Sequence, residues 1–139
     1  MKNKVKEYDN MNSGKGEEHH YNCAETLLRV ANDIENLGLD ENALNTMAAF
    51  GGGFGKELTC GAFMGALAAL STAYANPLPD NRENVKKARE LFMQAFEEHF
   101  GSLQCAAIKE KFRDPVVGCN PVKEETGRLL QEVFDTLNK

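Results

Sequence analysis

Cys23, Cys60, Cys105 and Cys119 are the residues of this chain whose type and number suggest a shared chemistry. A thiolate is both a nucleophile and a soft metal ligand. Four of them can close two disulfides, or supply a complete ligand set for zinc or an iron–sulfur cluster. No two cysteines stand in a CxxC spacing, so neither a thioredoxin-type motif nor a zinc knuckle is written locally. Any joint site has to be assembled by the fold from distant segments. The closest pair in the chain, Cys105 and Cys119, flanks a stretch short enough to fold back on itself.

Each cysteine also falls where the pattern predicts a helix to begin. Asn22 is placed to cap a helix opening at Cys23, and Thr59 to cap one opening at Cys60. Ser102 reads as the cap of a helix whose first turn holds Cys105, and Cys119 immediately precedes the pair Asn120-Pro121, a cap followed by proline. Free N–H groups and the positive end of the helix dipole stabilise a nearby anion, so thiols placed there are expected to ionise more easily. The plainer alternative for each is a small buried hydrophobe.

The elements that must carry these residues are helical. Ala24, Leu27, Leu28, Ala31 and Ile34 repeat at helical spacing up to Leu37-Gly38, and Asp40 caps a short segment bearing Ala43, Leu44, Met47 and Ala48. A third helix runs from Cys60 to about Ala75, rich in small residues suited to close packing in a bundle or at a dimer contact. A turn at Asn76-Pro77 and Pro79 leads to a long helix with Val85, Ala88, Leu91, Phe92, Ala95, Phe96 and Phe100 on one face, ended by Gly101. A fifth covers roughly Leu103 to Lys111, and a last shows Val122, Leu129, Leu130, Val133, Phe134 and Leu137. No stretch has the alternation of a strand. The expected fold is therefore all-α, a compact bundle of about six helices. Residues 1–19 read as a polar, loose or weakly helical arm, and 20–139 as one domain.

A length of 139 residues with 42% hydrophobic side chains suits a single core. A net charge of −5 and a pI near 5.2 argue against a nucleic-acid partner, which requires a concentrated basic footprint. The apolar run Gly61 to Leu70 is too short to span a bilayer, and the polar first ten residues lack the apolar core of a secretory signal. The expectation is a cytoplasmic protein, not embedded in membrane. In that reducing compartment structural disulfides are rare, which sharpens the question of what four cysteines are for.

The run Gly51-Gly52-Gly53-Phe54-Gly55-Lys56 is not a phosphate loop. A Walker motif ending at Gly55-Lys56 needs glycine at Phe50 and a hydroxyl residue at Glu57, and Lys56 takes the place of a dinucleotide motif's third glycine. Its glycines, with Gly61, are better read as letting backbone approach the Cys60 thiol or a group bound there. Cys60 is accordingly the expected reactive thiolate. Chain proximity makes Cys23 its partner and Cys105 and Cys119 a second couple, with paired Cα atoms about 4.4–6.8 Å apart. His19, His20 and His99 lie near cysteines in the chain and could complete a metal site or tune a thiol, although with no spacing signature the favoured reading of each is an exposed, uninvolved histidine. No Ser–His–Asp arrangement can be proposed.

The glycine run joined to Thr59-Cys60-Gly61-Ala62-Phe63-Met64-Gly65-Ala66-Leu67 resembles the C_GCAxxG_C_C family. Tyr21-Asn22-Cys23-Ala24 resembles its first cysteine segment, Phe100-Gly101-Ser102 with Cys105 its third, and Cys119 matches the fourth. The likeness covers about residues 21–137 and departs at His19-His20, so nothing is carried onto residues 1–20. It implies a helical fold, a redox role based on the four cysteines with an unnamed redox partner, and an association with transporter loci. It names no substrate and no cofactor. Three functions stay open at this point: thiol–disulfide chemistry, a zinc or iron–sulfur module using the same four cysteines, and a helical interaction module with inert thiols.

Overall fold

A computed structural model describes residues 1–12, 21–75 and 82–138. Among them the chain is helical throughout: α1 Lys2–Asn12, α2 Cys23–Glu35, α3 Glu41–Leu44, α4 Gly61–Tyr74, α5 Glu83–Phe100, α6 Cys105–Phe112 and α7 Asn120–Leu137. A 3₁₀ turn, Asn45–Met47, extends α3, and a wide turn, Gly53–Glu57, precedes α4. The six helices expected from Asn22 onward are α2 to α7. The turn expected at Asn76-Pro77 and Pro79 and the pair His19-His20 lie outside the described residues.

Local chemistry sets several boundaries. Asn22 Oδ1 accepts from the Glu25 N–H at 2.8 Å, and Glu25 Oε1 accepts from the Asn22 N–H at 3.1 Å, a complete capping box that starts α2. Asp40 caps α3 through the Ala43 N–H. Gly101, at φ 76°, closes α5 in the left-handed conformation that glycine tolerates best.

Helix α4 is central. It packs along α2 and against α5 and α7. Gly65 lies so close to the Ala24 backbone that a Cβ would clash there, which is what the small residues of α4 permit. Phe63 then stacks on Phe92 at 5.4 Å and meets Phe96 edge-on at 5.1 Å, and the aromatic column continues through Phe100 to Phe112. This column joins α4, α5 and α6, with Phe92 and Phe96 fully buried.

The first residues, read as a loose or weakly helical arm, form a regular helix over Lys2–Asn12. This segment forms α1 and packs on α7, burying Val5 against the Gly127 surface. Its remaining anchors are polar. Asp9 forms a buried ion pair with Lys123 of α7 at 2.6 Å, and the Tyr8 hydroxyl donates to Asp33 of α2 at 2.6 Å. The helix has one small aliphatic residue on its inner face, so hydrophobic periodicity could not announce it.

Candidate functional site

The four cysteines stand at the N-terminal ends of four helices. Cys23 and Cys105 are the first residues of α2 and α6, while Cys60 and Cys119 occupy the N-cap positions of α4 and α7. All four line one cavity of about 40 Å³, together with Gly52 and Gly61. The fold therefore assembles from distant segments the group that no local motif declares.

Two local devices bring the segments together. The Cys60 N–H donates to the Leu103 carbonyl at 2.7 Å, and the Cys105 N–H donates to that of Leu58 at 2.5 Å, with Thr59 and Gln104 facing each other as an antiparallel bridge. This short ladder sets the starts of α4 and α6 side by side. It also corrects two expected caps: Thr59 makes no side-chain cap, and Ser102 Oγ accepts from the Gln104 N–H in a turn ahead of the helix. The second device is the turn 114–118. Asp114 and Gly118 exchange backbone hydrogen bonds at 2.8 and 3.0 Å, and Asp114 Oδ1 accepts from Val116 and Val117, which holds its carboxyl below the usual carboxylate range. The chain reverses there and returns Cys119 to the cavity at whose edge Cys105 lies.

The glycines act as spacers. Gly52, Gly53 and Gly55, and with them Phe54 and Glu57, hold φ between 55° and 71°, a left-handed run that two non-glycine residues sustain only under strain. A Cβ on Gly61 would collide with the Cys23 sulfur, one on Gly51 with the Asn22 side chain, and one on Gly53 would lie 3.0 Å from the Cys105 Cβ. Gly55 faces open space.

Cys60, Cys105 and Cys119 do not titrate as their helix-terminal positions suggest. Cys60 is 5% exposed, and burial pushes its thiol up to about 12 although the Phe63 and Ala62 N–H groups favour the thiolate. Burial also raises Cys105 and Cys119, against the lowering effect of the Lys109 ammonium on both. Removal from water outweighs the helix ends here. The expectation of easily ionised thiols is thus corrected for Cys60, Cys105 and Cys119, and burial makes Cys60 poorly suited to be the attacking thiolate. All four cysteines are free thiols; Cys23 and Cys119 are half-buried, whereas Cys60 and Cys105 are buried. Cys23 raises the thiols of Cys60, Cys105 and Cys119, so it lies within electrostatic reach of all three.

Two lysines also line the cavity. Lys109 is held by Glu57 at 3.2 Å, and Lys123 by Asp9. Sequence reasoning missed both, although the signal was present: each stands four residues after a cysteine, Cys105 and Cys119, and so on the same helical face. His99 is placed elsewhere, with Nε2 3.5 Å from Glu125 and its ring against Phe100 and Phe112.

Four thiolates have the donor chemistry of a zinc or iron–sulfur site. As placed, no three His, Cys, Asp or Glu side chains among the described residues are arranged to hold a single metal ion. Nor, among the described residues, is any helix long and apolar enough to cross a membrane.

No curated protein and no solved structure matches the chain. A family model described as "Putative redox-active protein (C_GCAxxG_C_C)" matches residues 21–133, which contain all four cysteines, Lys109 and Lys123 but leave α1 outside. The chain belongs to that family.

Proposed function

We propose that the four cysteines work together as a thiol–disulfide redox centre. The observation that carries this reading is the convergence of four free thiols, from four helix starts, on one small cavity. Cys105 with Cys119 and Cys23 with Cys60 form the two couples. Each couple holds one half-buried thiol that a partner can reach and one buried thiol that resolves the adduct. The accessible thiol attacks a disulfide of the partner and forms a mixed disulfide; the buried thiol then displaces the partner. Two thiols of this chain become one disulfide, and the partner's disulfide becomes two thiols. A reducing, cytoplasmic compartment suits thiols that rest unpaired.

The test is the intact native mass of protein purified without oxygen, before and after mild oxidation. A loss of two or four hydrogens with no added metal supports the reading, and peptide mapping then identifies the couples. A mass raised by zinc, iron or iron plus sulfide would transfer the function to a metal centre.

A further inference from the structure

The size and lining of the cysteine cavity bear on what it reduces. A water molecule needs roughly 10–15 Å³ on the same measure. A space of about 40 Å³ therefore accepts an added group of about two or three heavy atoms. Cys60 and Cys105, at 5% and 6% exposure, cannot be reached in place by a peptide or by glutathione. The walls between the thiols are apolar, formed by Ala62, Ile108 and Val122; Lys109 and Lys123 line the cavity with their stems, their ammonium groups being held by Glu57 and Asp9. A peroxide would need hydrogen bonds for its departing oxygen that these walls do not provide. A single sulfur atom is small, soft and weakly hydrated, and it can leave as neutral hydrogen sulfide, which an apolar cavity accommodates.

We infer that this centre, if it is the thiol–disulfide centre proposed above, takes the terminal sulfur of persulfides and polysulfides as its oxidant and reduces it to hydrogen sulfide within the cysteine cavity. Cys119 is the port. It is half-buried and follows a turn whose Val116 is 89% exposed. Its sulfur attacks the terminal sulfur of a donor R–S–SH. The donor's S–S bond breaks, R–SH leaves, and Cys119 carries the persulfide Cys119–S–SH. One atom has been added to the cavity. The Cys105 thiol then attacks the Cys119 sulfur, the Cys119–Cys105 disulfide forms, and the terminal sulfur leaves with the Cys105 proton as H₂S. Two electrons pass from the thiol pair to the sulfur, and no other oxidant is consumed. Lys109, one helical turn from Cys105, lines the same cavity with its stem while Glu57 holds its ammonium group.

The experiment uses the reduced, metal-free full chain under strict exclusion of oxygen, with sodium tetrasulfide, glutathione disulfide and hydrogen peroxide as parallel probes. Sulfide is measured by bimane derivatisation and protein hydrogens by intact mass. Each rate is normalised to that of the same oxidant with dithiothreitol. The expected result is one sulfide released per two hydrogens lost, at a normalised rate at least tenfold above either other oxidant. Cys119→Ser should abolish sulfide release from this couple. Val122→Ile, which adds one methylene to the cavity wall, should slow tetrasulfide at least tenfold and by a larger factor than it slows glutathione disulfide, with the far-ultraviolet helix signal unchanged. Equal normalised rates for the three oxidants, or indifference to Val122→Ile, would overturn the inference while keeping the redox centre. Failure of every oxidant to close a disulfide would overturn both.

Discussion

The resting state of Cys60 can be tested through the pH dependence of stability. Its thiol is pushed by burial from 9.0 to about 12, so between those values the unfolded chain releases a proton that the folded chain keeps. The stabilisation from the raised value is fully present below pH 9 and is lost as pH rises toward 12. One pKa unit corresponds to about 1.4 kcal/mol. From pH 8 to 10.5, ionisation in the unfolded state alone therefore removes about 2 kcal/mol. Other groups titrate in the same range, so the measurement is a difference. Urea unfolding of the native chain and of Cys60→Ser is followed by circular dichroism at both pH values, with a reductant present and oxygen excluded. Serine does not ionise in this range, so the gap between the two proteins should shrink by about 2 kcal/mol at the higher pH. Parallel behaviour within about 0.5 kcal/mol would refute the buried, protonated Cys60. A gap that widened would mean a depressed thiol, and would return the attacking role to the residue that its helix-start position first suggested.

Four further outcomes follow from the geometry. Brief treatment of the reduced native protein with iodoacetamide should label Cys23 and Cys119 well before Cys60 and Cys105, read by peptide mass; simultaneous labelling of all four would contradict the division into accessible and buried thiols. Asp9→Asn should cost about 3 kcal/mol or more by leaving Lys123 buried without its carboxylate, and adding Lys123→Met should restore much of it; an unaltered urea midpoint for Asp9→Asn would show that the pair is not closed. Val5→Ala should lower stability by ~2 kcal/mol, whereas a loose arm would give no change in thermal unfolding. Gly61→Ala should destabilise by roughly 1–3 kcal/mol because its Cβ meets the Cys23 sulfur, and a neutral melt would disprove that approach.

The features legible in the sequence are those written within a few neighbouring residues. The Asn22 cap, the Asp40 cap, the Gly101 terminus and the small-residue face of α4 all act over one or two turns, and each is where the pattern places it. Thr59 and Ser102 read as caps because hydroxyl residues before an apolar run usually are. What replaced that geometry is the ladder between Leu58–Cys60 and Leu103–Cys105, a pairing across more than forty positions that neither segment reveals alone. Helix α1 was hidden for a similar reason. Its inner face is Val5, Tyr8 and Asp9, and the partners Asp33 and Lys123 that make such a face worth burying lie on other helices.

The site divides along the same line. Helix dipoles are local, so the placement of four cysteines at helix starts could be read directly, and with it the expectation of reactive thiolates. Burial is a property of the whole fold, and it reverses the sign for Cys60, Cys105 and Cys119. The compensating charges were nonetheless written in the chain. Cys105 and Cys119 are each followed four residues later by a lysine, and both lysines line the cavity from one turn further into their helices. A buried thiol with an ammonium one turn away is protonated at rest, while that ammonium, though held by its own carboxylate, partly offsets the cost of the thiolate formed when it reacts. This arrangement disfavours indiscriminate oxidation yet keeps the transfer step open to a reactant that enters the cavity. The repeated cysteine–lysine spacing therefore says more about mechanism than the glycine run that first drew attention to Cys60.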